Sequence, residues 1–296
     1  MPFPRIIRAC TILACLTITV FAVHAAPPAY DAIYVFGDSY CDVGNIYALT
    51  GGEDPPSPPY YKGRFSNGPL WVEHVAGALG LPMLPEVAGG TDYAFAGAWA
   101  TAPQVTAVGT LPDVPEQVAL YLSQHGGKAD PRALYILEGG GNDILGNLTS
   151  GASAKDLGLQ IALSISESEL LLRRAGARNF LIPDLFNVGL LPAAQANPSF
   201  ASAASTATNQ SLNDLLALEE FLEGIQIKRL NVYTLFQAIQ ADPTHFGFTN
   251  VTTPCIDPVT SAVCADPDHT LFWDIHHPTV FGHAFFAVTV EAALSQ

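Results

Sequence analysis

Basic residues are scarce: 12 lysines and arginines stand against 27 aspartates and glutamates, for a formal net charge of −15 over 296 residues. A chain this acidic repels phosphate backbones, which excludes nucleic acid as an expected partner. Charge of either sign is sparse, at 13% of residues, and cysteine is rare, with five. So few cysteines over this length exclude a small fold held together mainly by disulfides. No Gly-x-Ser-x-Gly stretch occurs, so one common signature of serine hydrolases is missing. A membrane span is not expected either, because the apolar run from Ala9 to Val23 falls short of the roughly 20 residues a span needs.

That run has another use. Arg5 and Arg8 precede it and Val23-His24-Ala25 follows with residues small enough for signal peptidase, so residues 1–25 have the layout of a secretory signal. The expectation is a protein secreted to an extracellular or periplasmic space, with residues 26–296 as a single domain. Cys10 and Cys15 leave with the signal, and Cys41, Cys255 and Cys264 remain. In an oxidising compartment Cys255 and Cys264, close together in a Pro/Asp-rich loop, are the expected disulfide, and closing that loop is worth about 2 to 3 kcal/mol. Cys41 is expected as a small buried thiol.

Two stretches carry chemistry. Ile33-Tyr34-Val35-Phe36 is a β-branched and aromatic strand that stops at Gly37-Asp38-Ser39, and a strand ending at a turn delivers its next side chains to the carboxyl edge of a sheet. A serine hydroxyl there is a weak nucleophile unless a base and an orienting group reach it. At the far end of the chain, Asp274-Ile275-His276-His277-Pro278 places a carboxylate and an imidazole on one turn.

The blocks along the chain resemble those of the GDSL, or SGNH, family of ester hydrolases, in the lipase/acylhydrolase-like branch. Gly37-Asp38-Ser39 with Asp42 and Gly44-Asn45 is similar to the first block. Gly63-Arg64-Phe65-Ser66-Asn67-Gly68, Asp92-Tyr93-Ala94-Phe95-Ala96-Gly97-Ala98, Gly140-Gly141-Asn142-Asp143, Gly176-Ala177-Arg178-Asn179-Phe180 and Asp274 to Pro278 follow in the family's order. The resemblance implies Ser39 as nucleophile, His277 as base by the Asp-x-x-His-Pro spacing, and Asp274 as orienter. It implies an oxyanion hole from the backbone N–H of Ser39, the backbone N–H of Gly97 and the side-chain amide of Asn142. Asp38 and Asp143 are expected to support their turns. No cofactor is implied.

The remaining chain alternates strands with helices, which argues for a parallel sheet covered on both faces. That is the α/β, three-layer α/β/α sandwich of flavodoxin-like form that the resemblance also implies. Helices are expected at 70–79, 114–123, 154–175, 211–222 and 279–294, and further strands at 133–137, 180–182 and 231–235. Residues 46–68 and 98–115 are expected as loops, the second apolar enough to form an acyl pocket, and the Ala/Ser-rich run 193–208 as a linker. The substrate is expected to be a small-molecule, glycan or lipid ester, and the protein a monomer. Tyr60, Tyr61, Phe65 and Trp99 are candidates to meet it. Three alternatives remain open: a phospholipase or acyltransferase of the same family, a glycan- or lipid-binding protein that keeps the fold without the chemistry, and a metal site from Asp274, His276, His277 and His283.

Overall fold

The computed structural model describes residues 29–223 and 225–294; the secretory segment expected at 1–25 lies outside them. In chain order the elements are β1 (Ile33–Phe36), α1 (Asn45–Leu49), α2 (Trp71–Leu79), β2 (Gln104–Thr106), β3 (Gly109–Leu111), α3 (Val114–Gln124), β4 (Leu134–Leu137), α4 (Gly141–Gly146), α5 (Ala154–Ala175), β5 (Asn179–Pro183), α6 (Pro198–Glu223), β6 (Ile227–Leu230), α7 (Val232–Ala241) and α8 (Val280–Leu294). Strands β1, β4, β5 and β6 form a parallel sheet in the order β1-β4-β5-β6. Every residue of β4 is buried, as a strand covered on both faces requires. Helix α3 packs on α5 and α5 on α6, while α2 packs on α8, which completes the expected α/β/α sandwich.

Strand β1 lies at the edge of the sheet and is not left open. Val35 donates its N–H to the Thr91 carbonyl at 3.1 Å and accepts from Tyr93 N–H at 2.8 Å, so residues 91–93 lie along its outer side. Covering an edge in this way hides backbone groups that would otherwise pair with another chain.

The helices follow local signals. Glu73 accepts the Leu70 N–H at 2.9 Å at the start of α2, and Gly80 closes that helix with a φ of 70°. Asp113 caps α3 by accepting the Glu116 N–H, and Ser153 caps α5 in the same way toward Asp156.

Three expectations are corrected. Residues 198–208 are helical, not a linker, and α6 begins at Pro198 instead of near Ser211. Alanine is the strongest helix former, and the hydroxyls of Ser205, Thr206 and Thr208 turn back onto carbonyls one turn earlier, each at 2.9 Å. Small residues are needed there because α5 comes close: a Cβ on Gly158 would stand 2.6 Å from the Thr208 nitrogen. The strand expected at 231–235 is Ile227–Leu230 instead, and Asn231 caps α7 by accepting the Thr234 N–H at 2.8 Å. The charged pair inside β6 concealed it, since Lys228 reaches the Ala293 carbonyl and Arg229 reaches Asp184 at 3.0 Å, as suits the sheet's other edge. The loops also hold short elements, α1 in the first and the β2–β3 hairpin in the second.

Candidate active site

Ser39 stands where β1 ends. Gly37 is held on both sides by Gln117, which accepts the Gly37 N–H at 2.8 Å and donates to its carbonyl at 2.9 Å. The close approach of Glu138 leaves no room there, since a Cβ on Gly37 would stand 2.9 Å from the Glu138 carboxyl. Asp38 supports the turn as expected: its Oδ1 accepts the Tyr40 N–H at 3.0 Å, and its carbonyl accepts from Cys41 and Asp42. Asp42 then accepts four backbone N–H groups, from Gly44, Asn45, Ile46 and Ala96, at 2.5 to 3.1 Å. Asp92 accepts those of Val43 and Ala94. Fully buried carboxylates thus tie the Ser39 turn to the segment that leads to Gly97.

Gly97 has a φ of 85° and lies exposed. That left-handed conformation strains any residue with a side chain, which accounts for a glycine at this position. Asn142, in the first turn of α4, donates its side-chain amide to the Ala98 carbonyl at 3.0 Å and to Asp38 Oδ2 at 3.3 Å. It therefore sits between the neighbour of Gly97 and the neighbour of Ser39. Asp143 accepts from the Ala100 and Thr101 N–H groups and from the Thr101 hydroxyl, fastening that same segment to α4. Among the described residues, neither the Ser39 N–H nor the Gly97 N–H has an acceptor.

The turn of Asp274 to Pro278 meets this edge. Ser39 Oγ is 2.8 Å from His277 Nε2, and His277 Nδ1 is 2.9 and 2.8 Å from the two Asp274 oxygens. All three side chains are largely buried. The Asp274 carboxyl would be pushed up by burial, but the adjacent His277, the His276 N–H and the Tyr60 hydroxyl together hold it well below the usual carboxylate range. The His276 N–H joins the Asp274 cluster, while burial and the neighbouring His277 push its imidazole down.

Asp274, His276 and His277 bring ligand-type atoms within 4.8 Å of one another. Both ring nitrogens of His277 are already engaged by Asp274 and Ser39. His283 does not join them. It is buried in α8 with neither ring nitrogen bonded, and burial pushes its imidazole down to about 3.

Cys41 is fully buried, and burial with the nearby carboxyls of Glu138 and Asp38 raises its thiol well above the ordinary value. A thiol held protonated is a poor nucleophile, so Ser39 has no rival in its own turn. Cys255 and Cys264 are paired, as expected.

In the sequence, residues 60–68 present a family-like block and aromatics that are candidates to meet substrate; nothing there signals that they brace the turn of Asp274 to Pro278. Tyr60 donates its hydroxyl to Asp274 Oδ2 at 2.8 Å, Ser66 donates to the Pro278 carbonyl at 2.9 Å, and Asn67 accepts the Val280 N–H at 2.7 Å. Gly68 lets Val280 approach to where a Cβ would stand 2.5 Å from it. Phe65 packs its ring 5.2 Å from that of His277.

Beside the triad of side chains opens a cleft of about 480 Å³, lined by Pro56, Pro59, Tyr60, Phe65, Ile256 and Pro258 and floored by Asp274 to His277. On the Asn142 side the space is far smaller, about 20 Å³. Residues 98–115, expected to form an acyl pocket, line neither space. Leu111 packs with Ile46, Phe95, Ala96 and Ala98 instead, and Trp99 lies against Gly146.

A family model described as GDSL-like lipase/acylhydrolase matches residues 33–289. A thermolabile hemolysin of Vibrio parahaemolyticus is 26% identical over 287 residues, which cover 88% of this chain and 63% of that protein. A phosphatidylcholine-sterol acyltransferase of Aeromonas hydrophila is 29% identical over 247 residues, covering 82% of this chain and 70% of that one. The chain thus spans about two thirds of the length of these relatives. In fold it is similar to a lipolytic G-D-S-L family protein of Veillonella parvula, with a TM-score of 0.50 and 16% identity over 90% of this chain and 98% of the other.

Proposed function

The chain belongs to the GDSL-like lipase/acylhydrolase family, and from that footing we propose that it is a secreted serine hydrolase that cleaves carboxylic esters through an acyl-enzyme on Ser39. The observation that carries this reading is the unbroken run of hydrogen bonds from Ser39 Oγ through His277 to Asp274.

In this mechanism the Ser39 hydroxyl attacks the ester carbonyl while His277 Nε2 takes its proton, and Asp274 holds the proton on Nδ1 and steadies the imidazolium. The carbonyl oxygen, now negative, is met by the N–H groups of Ser39 and Gly97 and by the Asn142 amide, which gives up its 3.3 Å bond to Asp38 Oδ2 to do so. Collapse breaks the bond to the alcohol, which leaves with the proton from His277. Water, activated by the same imidazole, then attacks the acyl-Ser39 ester, and the carboxylic acid departs with Ser39 restored.

The large cleft beside His277, walled by proline and aromatic side chains, supports an ester with an apolar chain, since such walls gain by covering hydrocarbon. Lipid esters are therefore the proposed substrate class ahead of acetylated carbohydrate. Transfer of the acyl group to a second alcohol is the second reading, favoured by the resemblance to the Aeromonas acyltransferase.

Hydrolysis of p-nitrophenyl esters from acetate to palmitate, by the wild type and by Ser39→Ala, tests the proposal. Activity that vanishes in the variant and rises with chain length is expected. Activity that survives Ser39→Ala overturns the mechanism. Assays with phosphatidylcholine and acetyl-xylan separate the substrate classes, and a sterol added to the first reports transfer. Fractionation of the producing cells tests secretion.

A further inference from the structure

We infer that Tyr60 is a positioning residue of the catalytic acid, so that the wall of the substrate cleft is also the outer brace of the triad. The inference rests on the proposed roles of Ser39, His277 and Asp274 and goes beyond them.

The two oxygens of Asp274 are held differently. Oδ1 is fixed by its own turn, accepting the N–H groups of His276 at 2.7 Å and His277 at 2.8 Å as well as facing His277 Nδ1. Oδ2 has no such local support. Besides His277 its one partner among the described residues is the Tyr60 hydroxyl at 2.8 Å, contributed from 214 positions away. Asp274 also borders the cleft, so without that hydroxyl Oδ2 faces a space that water or substrate fills. Water there would bond the carboxylate in many geometries, whereas Tyr60 permits one.

Tyr60 is itself well placed to act this way. Its ring meets Trp273 edge-on at 6.2 Å and Phe65 at 6.1 Å. It packs against the cluster of Cys255, Ile256 and Trp273, which the Cys255–Cys264 disulfide closes. Burial and the facing Asp274 keep its hydroxyl protonated, so it remains a donor wherever Asp274 is ionised. A tyrosine that only lined the cleft would not need to spend its hydroxyl on the acid.

The test is Tyr60→Phe, which keeps the ring and removes the donor. The expected result is a kcat lower by roughly 10-fold, the size of one hydrogen bond to a charged group, with KM within about twofold and the same factor for p-nitrophenyl acetate and butyrate. Phosphonylation of Ser39 by a fluorophosphonate slows by the same factor. An unchanged kcat overturns the inference, as does a loss carried by KM that grows with acyl length, which is the mark of a cleft wall alone. A double-mutant cycle guards against a general loss of folding. In an Asp274→Asn background Tyr60→Phe should cost nothing further, and a fully additive loss overturns the inference. Ser39→Ala in parallel keeps the two proposals separate, because residual activity there defeats the serine mechanism whatever Tyr60 does.

Discussion

The turn that carries Ser39 and the turn that carries His277 meet across 2.8 Å, but they are held by different means. The Ser39 turn grows directly out of a buried strand. Behind it Asp42, Asp92 and Asp143 accept backbone N–H groups in a part of the molecule where those donors have no other partner. The His277 turn belongs to no helix or strand. It is tied by single bonds to distant residues: Tyr40 donates to the His276 carbonyl at 2.8 Å, Ser66 to that of Pro278, and Tyr60 to Asp274. The proposed nucleophile must keep its place relative to the proposed oxyanion donors, so a rigid sheet edge suits it. The proposed base must swap a proton between serine and leaving group, and Tyr60, one support of its turn, also lines the neighbouring cleft.

Predictions that break or sharpen this contrast run from large to small. Ser39→Ala should lower kcat by about 10⁶-fold, measured on a p-nitrophenyl ester, since under the proposed mechanism only binding and the oxyanion donors then remain. Asn142→Ala should lower kcat by about 10² to 10³-fold with KM little changed. A change confined to KM would show that Asn142 only shapes the small pocket. His276→Ala should leave kcat within a few-fold, because among the described residues the ring bonded to Ser39 is that of His277 and not that of His276. A collapse of activity there would shift the base to His276.

Stability should divide the halves in the same way. Asp42→Ala strands four buried N–H groups and is expected to lower the free energy of unfolding by about 3 kcal/mol or more, read from urea titrations. Replacing Cys255 and Cys264 with serine should lower it by about 2 to 3 kcal/mol, because a short loop loses its closure. If the serine pair proves the more damaging, the contrast between the halves is wrong.

Titration adds a further test. Burial raises the Asp38 carboxyl to about 6, against the opposing Tyr40 N–H and His277, and raises Glu169 to about 8 beside Glu219, despite its pairing with Arg173. Both bind a proton more tightly folded than unfolded. Their contribution to stability is whole below the unfolded values of 3.8 and 4.5 and is lost as pH rises through about 6 and then 8. Asp274, shifted the other way, contributes above 3.8 and loses its contribution only as pH falls below that. Urea midpoints should therefore be higher at pH 5 than at pH 8.5. The reverse order would mean that Asp38 and Glu169 are not held as described.

Much of the Ser39 half was legible in the sequence, because a strand that stops at Gly37 and a polar turn after β4 leave a local trace. Asp42 and Asp92 could be seen as parts of family blocks, but their work as acceptors could not, since it depends on backbone turns that only the fold creates. Of the other half, spacing and resemblance pointed to Asp274 and His277, which the fold brings to Ser39. Neither pointed to the braces from Tyr60, Ser66 and Asn67, for contacts across more than 200 positions leave no periodicity to read. The errors at α6 and β6 have the same root. Small residues looked like a linker until a neighbouring helix required them to be small, and a charged strand looked unlike one until the sheet's edge gave its cations partners.

The strip of chain from Thr91 to Tyr93 that lies along β1 continues, through Phe95 N–H on the Gly37 carbonyl, to Gly97. Solubility and chemistry are thereby joined in one segment. A variant selected for a roomier site by loosening residues 94–98 would also peel the cover from an apolar strand, and its first symptom would be aggregation during expression, before any change in the esters it accepts. Libraries aimed at new specificity are better placed on the cleft itself, at Pro56, Pro59 and Pro258, away from the segment that covers β1.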